Sequence, residues 1–109
     1  MKRYTVETEM LVGWENCWTD SNEKLMTYAT LDAAADDIRD HVIDCINAVE
    51  GGDMIDSPEA SNFRIVEESD SGKGWEVTAI YECSNPAAFE YTDTDTQEAI
   101  NRRAQEERL

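Results

Sequence analysis

Asp36, Asp37, Asp40 and Asp44 fall within eight residues of TLDAAADDIRDHVIDCINAVEG, the stretch from Thr30 to Gly51. Wound as a helix, they share its outer side with Asn47 and spread four carboxylates over about 12 Å of axis. What such a row could do is bind. One strand of a nucleic-acid duplex presents a phosphate about every 3.4 Å of axis, a comparable density of negative charge. Glu50, Asp53 and Asp56 extend this face. Residues 30–60 hold nine acidic residues against Arg39 alone, half of the net charge of −16. Like charges at i,i+4 cost a few tenths of a kcal/mol each, and Asp44 gains nothing from the helix dipole so near the C-terminal end. A merely solvated face more often mixes Lys with Glu, and that bland reading is the one to weigh against a functional anionic surface.

Other residues with chemical potential form weaker patterns. His41 has Asp37 and Asp44 at i−4 and i+3, a triplet able to touch a divalent ion, but no segment supplies a fourth ligand. A surface histidine among carboxylates is the simpler reading, and neither metal nor other cofactor is expected. Cys17, Cys45 and Cys83 show no C-x-x-C spacing and read as reduced thiols, with Cys45 on an apolar stripe. Ser57, Ser61 and Ser71 lie in loops with nothing local to bring His41 to them. Gly72 and Gly74 stand between two strands with no following helix, which excludes a phosphate loop. The reading is non-enzymatic. Trp14 and Trp18 are candidate interface anchors if exposed, and Ile43, outside the apolar stripe, is another.

These residues need elements to hold them. Leu31, Ala35, Ile38, Val42, Cys45, Ile46 and Val49 recur at steps of three and four and predict the inner stripe of one helix. Thr30 is its N-cap, Asp32 suits the first turn, and Gly51 suits the C′ position. Arg3 to Val12 alternates. Tyr4, Val6, Thr8, Met10 and Val12 face one way, and Thr5, Glu7, Glu9 and Leu11 the other, which predicts a half-buried strand with its polar side in water. Trp14 to Thr19 reads as a second strand, followed by a turn at Asp20-Ser21-Asn22-Glu23-Lys24, and Leu25 to Ala29 as a short extended segment. Phe63 to Glu67 and Trp75 to Cys83 predict a β-hairpin, ended before Pro86. Asp95 and Glu98 form a capping box for a last, weakly apolar helix, which frays or docks weakly and could serve as a partner-binding tail. The expected fold is α+β: an antiparallel sheet of four to five strands, the long helix packed on one face, and a short C-terminal helix.

At 109 residues and 40% apolar content, with three Trp, the chain is expected to fold as a single α+β domain over 1–94 with a helical tail over 95–109. Twenty-five acidic against nine basic residues argue against direct binding to nucleic acid or anionic membranes, which need Lys and Arg. They suit a basic protein or nucleoprotein complex as partner, met by a monomer or dimer. MKRYTVETEM has no apolar run for a signal peptide and no segment approaches 18 apolar residues, so a cytoplasmic protein is expected. Salt adaptation of a halophilic host is a second origin for the charge.

The overall pattern, with the segments VETEMLVGWENCW and YATLDAAADDI, resembles the small acidic anti-defence proteins of phages and mobile elements, of the anti-CRISPR or anti-restriction type. The resemblance is one of class, and no functional residue carries over from it. It implies a competitive mechanism, in which helix carboxylates meet the Lys and Arg of a host defence complex that normally grip phosphates. The alternative is an acidic interaction module of a mobile element or salt-adapted host, whose partner meets the aromatic hairpin bearing Trp14 and Trp18.

Overall fold

The structure, a computed structural model, describes residues 1–11, 13–15, 18, 19, 22, 24–94 and 97–101. Val12, Asn16, Cys17, the expected turn at Asp20, Ser21 and Glu23, the Asp95 cap and tail residues 102–109 lie outside the described residues. Among those described, five strands form one antiparallel sheet in the order β2-β1-β3-β4-β5. They are β1 (Lys2–Met10), β2 (Gly13–Glu15), β3 (Phe63–Asp70), β4 (Trp75–Asn85) and β5 (Glu90–Asp93). Helix α1 (Leu31–Glu50) packs on one face, and the short α2 (97–101) lies against the other. The α+β architecture is as expected. The fifth strand is Glu90–Asp93, not the 25–29 segment, which makes only isolated bridges, Tyr28 with Tyr4 and Leu25 with Thr19. Among the described residues β2 covers Gly13–Glu15, and Trp18 and Thr19, expected in it, lie outside it.

Between α1 and the sheet lie Val6, Phe63, Ile65 and Tyr91 from the strands and Ala34, Ile38 and Val42 from the helix. Val6 pairs with Ile65 and Ile65 with Tyr81 in adjacent strands, so alternation brings one apolar row under the helix. The helix is rotated slightly from the expected stripe. Ala34 is fully buried, whereas Ile46 is 41% exposed. Thr30 caps it, its hydroxyl accepting from Ala33 N at 3.1 Å. At the other end Gly51 keeps a right-handed φ of −81°, and the left-handed residue is Gly52, at φ 84°. The same sheet face holds the buried carboxylate of Glu67, which accepts from Tyr4 Oη (2.9 Å), Thr78 Oγ1 (2.9 Å) and Tyr81 Oη (3.3 Å). Lys2 Nζ stands 3.2 Å from it.

The second face of the sheet corrects the expectation for β1, whose polar side was to lie in water. Thr5 and Glu7 are buried. Glu7 is opposite Arg64 on β3, and Arg64 Nε donates to its Oε1 at 2.8 Å, with both side chains only 4% exposed. Trp14 covers this pair, its ring centre 4.6 Å from the guanidinium carbon. Near the other end of β1 the arrangement recurs: Arg3 Nε reaches Glu68 Oε1 at 3.3 Å and lies 4.1 Å from the ring centre of Trp75. Between the two pairs, Val66 and Ile80 are buried with Ala99 of α2. On this face Glu7 and Glu68 are therefore covered because arginines on the neighbouring strand neutralise them and tryptophans roof them, while Glu9 stays exposed as alternation predicts.

Candidate functional site

The outer surface of α1 divides the four candidate aspartates into two kinds. Asp36, Asp40 and Asp44 are exposed and stand at i,i+4 steps, about 6 Å of axis apart. Asp32, also exposed, begins the same row one turn earlier, a member that the sequence reading used only as a first-turn anion. Asp36 and Asp40 have side chains 64% and 67% exposed. Arg39 reaches toward both, Nη1 to Asp36 at 3.6 Å and Nε to Asp40 at 3.8 Å, loose surface pairs of small energetic weight.

Asp37 serves a different purpose. It is half-buried and accepts a hydrogen bond from Tyr28 Oη, which in turn accepts from Trp18 Nε1 at 2.8 Å. Burial, then the bond to Asp37, pushes the Tyr28 hydroxyl well above its ordinary value of 10.0. This relay ties the segment before α1 to the helix flank. Without Asp37 the exposed charges recur every 6 Å or so, so the likeness to a nucleic-acid strand is one of sign and extent, not of phosphate-for-phosphate spacing.

Beside the row lies an open groove of about 540 Å³, lined by Trp18, Met26, Asp37, Asp40, His41 and Asp44 among others. Trp18 is half-buried, edge-on to His41 (4.9 Å between ring centres) and to Phe63 (5.4 Å). His41 Nε2 lies 3.7 Å from Cys45 Sγ. Among the described residues no three His, Cys, Asp or Glu side chains gather as a metal site, so the Asp37–His41–Asp44 triplet is not assembled as one.

Glu50, Asp53 and Asp56 are exposed at the C-terminal end of α1 and in the loop after it. Asp53 N is anchored on Ala48 O at 2.8 Å, and Asp56 Oδ1 accepts from Ser57 N at 2.9 Å. The last turn of α1 carries no basic residue, so Glu50 faces the negative end of the helix dipole unrelieved, at a cost of roughly 0.3–1 kcal/mol. Trp14 lies away from this surface: it belongs to β2 and stacks on Arg64. Helix and strands thus separate the two anchors that the sequence reading grouped. No family model, curated protein or solved structure matches the chain. No helix among the described residues is long and apolar enough to cross a membrane.

Proposed function

We propose that the chain is a non-enzymatic inhibitor that occupies the basic nucleic-acid-binding surface of a host defence complex, acting in the host cytoplasm without itself binding nucleic acid. The observation that carries this reading is the exposed row Asp36, Asp40 and Asp44, continued by Glu50, Asp53 and Asp56, on a helix whose opposite face is locked in the core. A rigid row of carboxylates offers Lys and Arg a preformed counter-surface, and a net charge of −16 draws a basic partner from a distance. Glu50 opposes the helix dipole, and its presence costs stability that a solvated Lys or Gln would not. The class resemblance in VETEMLVGWENCW and YATLDAAADDI agrees with the same reading.

The test is competition. A purified CRISPR effector or restriction complex, loaded with labelled nucleic acid, is titrated with the protein at rising salt. Displacement that fades between about 0.1 and 0.5 M salt supports the proposal. Binding that is insensitive to salt and leaves the nucleic acid in place favours an acidic interaction module, whose partner meets the aromatic surface around Trp14 or Trp18.

A further inference from the structure

One flank of α1 carries apolar side chains where the outer row carries charge. Ile43 and Ile46 are each about two-fifths exposed. Next to Ile46 an open groove of about 510 Å³ lies between the helix and two loops, walled by Val42, Ile46, Pro58, Ala60, Pro86 and Phe89. Phe89 holds its place in that wall from an unusual backbone position, φ 53°, which bulky residues seldom adopt. Its N–H bonds to Pro86 O at 3.4 Å, and its ring packs against the core under α1.

We infer that this groove docks an amphipathic helix of the partner, with two or three apolar side chains seated on Val42, Ile46 and Phe89 and with Lys or Arg on both sides of them. The inference deepens the proposed function and rests on it, since it names how a basic partner would be gripped. Charge selects the occupant. Glu59 lines the groove, and Glu50, Asp53 and Asp56 stand on the chain between the helix end and that wall, so apolar anchors need basic flanks. A second copy would bring another net charge of −16 against these carboxylates. The walls select its conformation. Pro58 and Pro86 have no backbone N–H, so an extended segment would find few main-chain donors, whereas a helix arrives with its backbone bonds already made. The volume is within the range that takes a few side chains. Ile43, three residues from Asp40 and one from Asp44, gives the same helix a contact at the border of groove and charge.

The test uses two fluorescent synthetic peptides of about 18 residues, long enough for several helical turns. One places Leu at i, i+3, i+4 and i+7 with Lys and Arg elsewhere; the other is a scramble of identical composition. At about 0.15 M salt the amphipathic peptide is expected to bind at least ~10-fold more tightly. The double variant Ile46→Gln/Ala87→Gln, both positions exposed, should reduce it to the level of the scramble while the thermal melt is unchanged. Equal affinity of the two peptides overturns the groove; if both also weaken in an Asp36/Asp40/Asp44/Asp53→Asn variant, the charged surface stands without it. If the amphipathic preference survives in that variant at full affinity, the groove stands and the acidic row falls. A wild-type dimer in sedimentation that Ile46→Gln splits would mean that a second copy fills the groove, and would also overturn the inference.

Discussion

Glu7 and Arg64 face each other across β1 and β3 at 2.8 Å, on the side of the sheet away from the long helix, and both are sealed from solvent. The pair is held together by mutual neutralisation and by the Trp14 ring over the guanidinium. Removing one partner leaves the other as a buried charge. Glu7→Leu or Arg64→Met alone should therefore cost about 3–5 kcal/mol, while the double variant Glu7→Leu/Arg64→Met should cost much less than the sum. Urea unfolding of the four proteins in the cycle measures this. Additive losses would mean that the two residues are stabilised separately.

Asp37 and Asp40 are three residues apart and of one type, yet their removal should differ. Asp37→Asn weakens the charge-assisted bond from Tyr28 and should cost about 1–2 kcal/mol. Asp40→Asn should stay within about 0.5 kcal/mol of wild type, since relief of like-charge repulsion offsets the loose pair with Arg39. Chemical denaturation of the two variants is the check, and equal losses would refute the division of the helix face.

Stability should fall at both ends of the pH scale for different groups. Burial, followed by the bond to Glu67, pushes Tyr4 up to about 12, and burial also raises Tyr28, Tyr81 and Tyr91. Above the ordinary tyrosine value of 10.0 the unfolded chain loses these protons and the folded one keeps them, so stability declines as pH rises from there through the folded values. On the acid side, burial of Glu67 raises its carboxyl, but the bonds from Thr78, Tyr4 and Lys2 outweigh that and leave it below 4.5. Its contribution is present above 4.5 and is lost as pH falls through the folded value. Melts across pH should show a neutral plateau with an alkaline limb that shrinks in Tyr4→Phe; an alkaline limb unchanged by that substitution contradicts the assignment.

The origin of the charge is open to a simple measurement. A chain whose carboxylates serve recognition should already be folded at about 0.15 M KCl, with modest further gain at about 2 M. A chain unfolded at the lower salt would owe its acidity to a saline host.

Much of the fold was legible because α1 has a strong period of three and four and because β3 and β4 alternate around turn-forming residues. The facing of α1 was less so. Ala34 and Ala35 are alike in type, so the pattern alone does not say which of them is fully buried, and Ile46 is apolar but lies over a groove instead of the sheet. β5 has four residues, EYTD, too few for a pattern, and its pairing depends on the bend at Pro86 to Phe89. The second sheet face was hidden for a deeper reason. Thr5 and Glu7 look solvated in β1 alone; Arg64, 57 residues on from Glu7, explains the burial of Glu7, and Val66, opposite Thr5 on β3, belongs to the apolar cluster with Ile80 and Ala99. The candidate site shows the same limit: spacing puts Asp36, Asp37, Asp40 and Asp44 on one side, but the Tyr28 bond that withdraws Asp37 comes from a segment without periodic pattern.

The most direct test of the central claim compares two charge-matched variants in displacing labelled nucleic acid from a purified basic defence complex. One replaces Asp36, Asp40, Asp44 and Asp53 by Asn and spares Asp37 for the fold. The other replaces the exposed Glu9, Glu15, Glu76 and Glu90 by Gln, leaving buried Glu7 with Arg64. With both folded, the helix variant should lose about 100-fold or more in displacement and the control only a few-fold. Equal losses would show that bulk charge alone acts, and full activity of the helix variant would contradict the acidic row as the binding surface.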